Sequence, residues 1–153
     1  MQDKVVFDRL TVLPDRVEAF VRIVDPTART TSKALIDQVL QQFPTVAYHA
    51  CRNEAGPTFG AVMERTSVPH LLEHLVIDIQ THAHAHSEMP ETPVEQAVFT
   101  GTTQWSADDP DVAIVRVSFL DDLIALGAFK KALHFINHAL ADRACANTTP
   151  SRL

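Results

Sequence analysis

Cysteine and glycine are scarce in this chain of 153 residues, which contains two of the first and four of the second. The two cysteines, Cys51 and Cys145, are too few for a disulfide framework or a cysteine-rich zinc site. Because glycine is so rare, no Gly/Ser-rich linker divides the chain. The length therefore favours one domain with a substantial buried core.

Basic residues are also in deficit, since 13 Lys and Arg stand against 19 Asp and Glu, for a net charge of −6. An anionic protein is a poor partner for nucleic acid or for an anionic membrane surface. No apolar run approaches the roughly 20 residues of a membrane-spanning helix. The charged N-terminus has no signal-peptide core. We expect a cytoplasmic protein that binds neither nucleic acid nor membrane.

Hydrophobic periodicity predicts an α+β fold, with helices packed on one face of a mainly antiparallel sheet. The predicted strands cover residues 16–24, 45–51, part of 94–105, and 112–119, and the predicted helices cover 32–43, 69–81 and 121–141. The predicted element order is therefore β-α-β-α-β-β-α. Residues 1–15 are interpreted as a loosely structured lead-in, 84–93 as a polar loop and 143–153 as a flexible tail. A single domain then spans 16–142.

The sequence His-Leu-Leu-Glu-His at 70–74 is the motif with the clearest chemical content. On a helix, residues four apart lie on the same side, so His70 and His74 can face one metal ion. Imidazole nitrogens suit zinc, and a carboxylate beside the metal can act as a general base. This H-x-x-E-H pattern is typical of inverted zincins and makes Glu73 the candidate catalytic base. The alternative is that these residues belong to a solvated helix face.

A catalytic zinc site needs a third protein ligand, which the motif does not supply. The candidates are Asp121, Asp122, His49 and Cys51. Asp121 could equally stabilise the start of the last helix, in a capping box with Ser118. Cys51 could equally be a buried, inert thiol. Asp78, one turn beyond His74, suits the orientation of an imidazole better than direct ligation.

A longer pattern surrounds the motif. A His-x-Cys segment leads through a Gly-containing loop to Phe, then to Glu-Arg, Thr and a helix of the form H-x-x-E-H-x-x-x-D-x-Q. The residues concerned are His49, Cys51, Gly56, Phe59, Glu64, Arg65, Thr66, His70, Glu73, His74, Asp78 and Gln80. This pattern resembles the N-terminal domain of cyanophycin synthetase, in which Glu takes the place of Asp78. The downstream segment FTGTTQW, residues 99–105, also resembles a segment of this family. In it, Thr103 or Gln104 stands where the family has an Arg.

The resemblance implies a fold similar to zinc metallopeptidases of the pitrilysin type. It implies a metal on His70 and His74, Glu73 as base, and the pair Asp121-Asp122 as the source of the third ligand. In the family this domain precedes ATP-grasp and Mur-ligase-like domains, and in some members it cuts the arginine–aspartate polymer. From the resemblance we expect a stand-alone domain that acts as a zinc-dependent hydrolase on a peptide or isopeptide substrate.

The alternative function is a non-catalytic binding or assembly module that keeps this fold. Loss of the third ligand, or a site closed to solvent, would favour that alternative. The apolar stripes of the predicted helices are also compatible with a homodimer.

Overall fold

The described part of the protein is built on a four-stranded antiparallel sheet. The computed structural model describes residues 2–85 and 98–146, with side chains as far as residue 142. The strands are β1 (Val5–Val12), β2 (Arg16–Ile23), β3 (Gly101–Trp105) and β4 (Val112–Ser118). Their order across the sheet is β1-β2-β4-β3, and every neighbouring pair is antiparallel. Among the described strands, β3 therefore lies at one edge.

The two faces of the sheet differ in polarity because side chains alternate along the strands. One face of the central strands is buried and apolar, with Val17, Ala19, Val21 and Ile23 from β2 and Ala113, Val115 and Val117 from β4. The other face carries ion pairs between Arg22 and Asp8 and between Arg116 and Glu18. Only the apolar face can therefore receive helices without burying charge.

The described part of the chain contains three α-helices: α1 (Lys33–Gln42), α2 (Val68–Ala85) and α3 (Asp122–Ala146). Helices α2 and α3 cover this apolar face, and α1 packs against α3. Helix α2 packs on β3 and β4, whereas α3 packs on β1 and β2 and also contacts α2. Gln80 fastens α2 to the sheet, since its buried side-chain amide donates to the carbonyl oxygen of Ser118. The predicted α+β class is confirmed, and α2 lies directly above the β3 edge.

The prediction of a loosely structured lead-in over 1–15 was wrong, because residues 5–12 form β1. Two features hid this strand from a reading of the sequence. The charged pair Asp8-Arg9 interrupts its apolar residues, and the pairing register with β2 shifts between Phe7 and Arg9. In addition, Asn137 of α3 accepts hydrogen bonds from the backbone N–H of Lys4 and Val5, a stabilising contact that local sequence does not reveal.

The strand predicted over 45–51 is also absent, because residues Pro44–Tyr48 form a 3₁₀ helix. Pro44 follows the end of α1 directly and suits the first position of such a turn. Beyond it, Ala50 pairs with Thr58 in an isolated bridge. The observed order of strands and helices is thus β-β-α-α-β-β-α rather than β-α-β-α-β-β-α.

Helices α2 and α3 end later than predicted, whereas α1 is one residue shorter than predicted at each end. Helix α2 continues through His84, which was predicted to begin a loop, and α3 reaches Ala146 rather than ending near residue 141. Residues 86–97 and 147–153, which include the rest of the predicted loop, part of a predicted strand and most of the predicted tail, lie outside the described residues. None of the described helices combines the length and apolar character that a membrane span requires.

Candidate metal centre

Helix α2 places the H-x-x-E-H motif against the sheet, where it is largely buried rather than exposed to solvent. The side chains of Glu73, His74 and Asp78 are buried, with residue exposures of 5%, 3% and 3%. His70 is half-buried, one turn before His74. Burial of so many polar groups requires partners. The described residues supply them, since no buried side-chain nitrogen or oxygen there lacks a hydrogen bond.

Three potential metal-binding side chains, Cys51, His70 and His74, converge at this place. Their ligand atoms all lie within 4.8 Å of one another. The Sγ atom of Cys51 is 3.5 Å from Nε2 of His70. A tetrahedral zinc ion with ordinary Zn–S and Zn–N bond lengths would hold such a pair about 3.6 Å apart. The spacing and the sulfur–nitrogen donor set therefore fit a zinc ion.

Each histidine of the cluster is held on its other side. Nδ1 of His70 is 2.8 Å from Oγ1 of Thr66, which leaves Nε2 facing Cys51. The ring of His74 stacks on Phe59, with ring centroids 4.1 Å apart. Because metal-binding imidazoles are normally oriented by a second contact, this arrangement is typical of a ligand pair.

His74 also begins a chain of polar contacts that leads away from the Cys51/His70/His74 cluster. Nδ1 of His74 lies 3.2 Å from Nδ1 of His49, and Nε2 of His49 lies 3.0 Å from Oδ1 of Asp78. Thr45 donates its hydroxyl hydrogen to the same oxygen of Asp78, over 2.7 Å. Asp78 therefore orients an imidazole, as expected, but the imidazole that it contacts most closely is that of His49.

The Glu73 carboxylate lies between the cluster and strand β3. Its Oε2 atom accepts a hydrogen bond of 2.6 Å from Oγ1 of Thr103, and its Oε1 atom is 3.9 Å from Nε2 of His74. Gly101 allows this approach, because a Cβ atom at that position would lie 2.7 Å from Cγ and Oε1 of Glu73. One oxygen of the carboxylate is thus fixed, and the other faces the cluster.

The local environment shifts the acid–base properties of these groups. Burial lowers the pKa of His70 and, with the neighbouring histidines, lowers the pKa of His74 to about 3. Both rings are therefore neutral at pH 7, as metal binding requires. Burial raises the pKa of Glu73, although the Thr103 hydrogen bond opposes the shift. Burial would also raise the pKa of Asp78, but hydrogen bonds from His49 and Thr45 hold it below its usual value.

A cavity of about 710 Å³ opens beside the cluster. Cys51, His70, Glu73 and His74 form one wall, and residues 98–105, including all of β3, form another. The volume is in the range of small-molecule and peptide-binding clefts. Trp105 stands at the rim, 37% exposed, with the guanidinium of Arg29 stacked 3.8 Å from the centre of its ring. The candidate metal centre is therefore open to a ligand.

Asp121, which the resemblance favours as the third ligand, caps a helix instead. It directly precedes α3, and its Oδ1 atom accepts hydrogen bonds from the backbone N–H groups of Leu123 and Ile124. It is the N-cap itself, whereas Ser118 accepts from the backbone N–H of Thr100. Asp121 is exposed and does not belong to the metal-capable group, in which Cys51 takes the third place.

Two further residues of the site have no signal in the local sequence. Thr103 and Gly101 meet Glu73 across 30 and 28 positions of the chain, and only the pairing of β3 with β4 places them there. The longer pattern around the motif did include Phe59 and Thr66, but without a role for either, and His49 was a candidate only for the third metal ligand.

No protein-family model, curated protein or solved structure matches this chain. The similarity to the N-terminal domain of cyanophycin synthetase thus stays a prediction. The function has to be argued from the geometry.

Proposed function

We propose that this protein is a zinc-dependent hydrolase of peptide or isopeptide bonds. The observation that carries the proposal is the position of Glu73, whose Oε1 atom lies beside His74 of the Cys51/His70/His74 cluster at the wall of an open cavity. A bound zinc ion would supply Lewis acidity, polarising the scissile carbonyl and lowering the pKa of water. The three side chains of the cluster would leave one coordination position free for this purpose.

Glu73 has the properties of the general base in this proposal. Its Oε1 atom is available to take a proton from the attacking water and to deliver it to the leaving amine nitrogen. Thr103 holds Oε2 and so fixes the orientation of the carboxylate. A pKa raised by burial brings the carboxylate closer to the pH at which a base is most effective.

The edge position of strand β3 favours a peptide-like substrate. The ladder with β4 includes hydrogen bonds at Thr100 and Ser106, so the intervening hydrogen-bonded positions are Thr102 and Gln104. The backbone groups of Gly101, Thr103 and Trp105 are therefore directed to the other side, which is the edge of the sheet as described. An extended peptide can add to such an edge by backbone hydrogen bonds, and it would then pass beside Glu73.

The alternative function is a metal-containing binding or assembly module without catalysis. The observation in its favour is the thiol of Cys51, because thiolates are frequent ligands in structural zinc sites. The two functions differ in what they require of Glu73. A hydrolase needs its carboxylate as a base, whereas a structural site needs only the three side chains of the cluster.

The test is a comparison of Glu73→Gln with the wild type. Tag-free, zinc-loaded protein is incubated with a library of quenched fluorescent peptides and with isopeptide-linked substrates. We expect cleavage by the wild type and a loss of at least about 100-fold in Glu73→Gln, the range for removal of a general base, with the zinc content unchanged. The control, Glu54→Gln, alters an exposed acid outside the cavity wall and should retain activity.

Two outcomes would contradict the proposal. If Glu73→Gln cleaves as fast as the wild type, Glu73 is not the base. If the zinc-loaded wild type cleaves no member of either substrate set and Glu73→Gln binds zinc equally well, the binding module becomes the better function.

A further inference from the structure

A continuous chain of polar side chains connects His74 with His82, two turns further along the same side of α2. It passes from Nδ1 of His74 to His49, and from Nε2 of His49 to Asp78. Thr45 donates to Asp78, and the half-exposed ring of His82 lies 3.2 Å from Oγ1 of Thr45 and 3.7 Å from Oδ2 of Asp78. We call the three residues His74, His49 and Asp78 the Asp78–His49–His74 chain.

The positions of hydrogen atoms in this chain follow from what each group can donate or accept. An ionised carboxylate has no hydrogen to donate, so Nε2 of His49 must carry the hydrogen of its contact with Asp78. A neutral His49 ring then has a lone pair on Nδ1. The facing Nδ1 atom of His74 must therefore be the donor in the 3.2 Å contact between the two rings. As a result, the lone pair of His74 is placed on Nε2.

Nε2 is the atom of His74 that its contact with His49 leaves available to a metal ion. Nδ1 is occupied by His49, whereas Nε2 is directed to the side of the Glu73 carboxylate, 3.9 Å from Oε1. In the opposite tautomer Nε2 would carry a hydrogen and could not coordinate a metal ion. The choice of tautomer therefore decides whether His74 can act as a ligand.

We propose that His49 is a positioning residue that transmits the acceptor character of Asp78 to His74 and thereby holds His74 in the Nδ1–H tautomer, ready to bind metal through Nε2. The inference rests on the proposed function, because it concerns how a ligand is presented to the proposed zinc ion. It assigns to Asp78 a role at one remove, through a second imidazole. Most metal-binding histidines are oriented by one direct contact instead.

The first test is made on metal-free protein labelled with ¹⁵N in its histidines. Long-range ¹H–¹⁵N correlation spectra distinguish the two neutral tautomers of each ring. We expect the Nε2–H form for His49 and the Nδ1–H form for His74. A spectrum with the Nε2–H form for His74 would overturn the inference. This measurement needs neither a substitution nor catalytic activity, so its result is independent of whether the protein hydrolyses anything.

The second test measures the binding of Co²⁺, followed by its visible absorption, in Asp78→Asn and His82→Gln. Asp78→Asn should weaken binding about 10–100-fold, which is the usual effect of losing such an orienting group. His82→Gln is the matched control, because it removes a neighbour of Asp78 without interrupting the Asp78–His49–His74 chain, and it should bind Co²⁺ as the wild type does. Circular dichroism would establish that both variants are folded.

Equal affinity in Asp78→Asn and the wild type would overturn the role of the chain. A failure of the proposed function looks different. In that case the tautomers and the loss of Co²⁺ affinity would be as expected, but no substrate would be cleaved.

Discussion

The hydroxyl of Thr103 donates a 2.6 Å hydrogen bond to Oε2 of Glu73 and so joins the edge strand β3 to the buried face of α2. The two residues are 30 positions apart in the chain. This contact fixes the carboxylate, and its second oxygen, Oε1, lies 3.9 Å from Nε2 of His74. It also lowers the pKa of Glu73, which burial raises.

Replacement of Thr103 by Val should reduce both stability and activity. The change keeps the shape of the side chain but removes the donor, so we expect a loss of about 1–3 kcal/mol in the free energy of unfolding. It should also raise the pKa of Glu73 further. Since the base acts in its ionised form, the rise of activity with pH should move to higher pH. Urea unfolding and a pH–rate profile measure the two effects.

Thr103→Ser is the control, because it retains the hydroxyl and should keep the pH profile of the wild type. If the rise of activity with pH occurs at the same pH in Thr103→Val as in the wild type, the hydrogen bond does not lower the pKa of Glu73.

Gly101→Ala should damage the site, because the added Cβ atom would meet the Glu73 carboxylate at 2.7 Å. We expect a fall in activity together with a lower midpoint of thermal unfolding. Gly127→Ala offers a matched control within α3, where nothing lies within 4 Å of the added atom. Alanine in a helix is favoured over glycine by about 0.5–1 kcal/mol, so this second variant should be more stable than the wild type. Equal behaviour of the two variants would show that Gly101 has no special role beside Glu73.

The metal-free protein should lose stability as the pH falls below the pKa of a histidine in the unfolded chain. The pKa of His74 is lowered from 6.5 to about 3 in the folded protein. Between these two values the unfolded chain binds a proton at this residue that the folded protein does not. The free energy of unfolding should therefore decrease as the pH falls through this window, by up to about 1.4 kcal/mol per pH unit from this group alone.

The slope of the free energy of unfolding against pH can be assigned to His74. The measurement is urea unfolding at several pH values in His74→Gln and His138→Gln. His138 is an exposed histidine of α3, and its replacement should leave the slope unchanged. His74→Gln should flatten it. If both variants keep the slope of the wild type, the protonation of His74 does not control acid stability.

The part of the site that lies on one helix could be predicted from the sequence. Spacing alone places His70 and His74 on one side of α2 with Glu73 beside them, and the structure has them so. Cys51 was only one of several candidates, because its approach to His70 depends on the 3₁₀ segment and the bridge at Ala50 that carry it there. The hydrogen bond from Thr103 to Glu73 could not be predicted, since the position of Thr103 is set by the pairing of β3 with β4.

For the fold too, elements set by local sequence could be predicted and those that depend on distant contacts could not. Helices α1 and α2 were predicted from their own apolar stripes and differ from the prediction only at their ends. Strand β1 was missed because the Asp8-Arg9 pair obscures its pattern and because its N-terminal N–H groups are satisfied by Asn137, more than 130 positions away. Local periodicity carries no information about such a contact.

The most direct test of this account is the metal content of tag-free protein purified without added metal. We predict about one zinc ion per chain, lost in Cys51→Ala and in His70→Ala/His74→Ala. The pair His134→Ala/His138→Ala is the matched control, because these histidines have the same spacing on α3, and it should retain the metal. Asp121→Ala should also retain it, while losing about 1 kcal/mol of stability with the helix cap. A wild-type protein without metal, or zinc that persists in Cys51→Ala and His70→Ala/His74→Ala, would contradict the account.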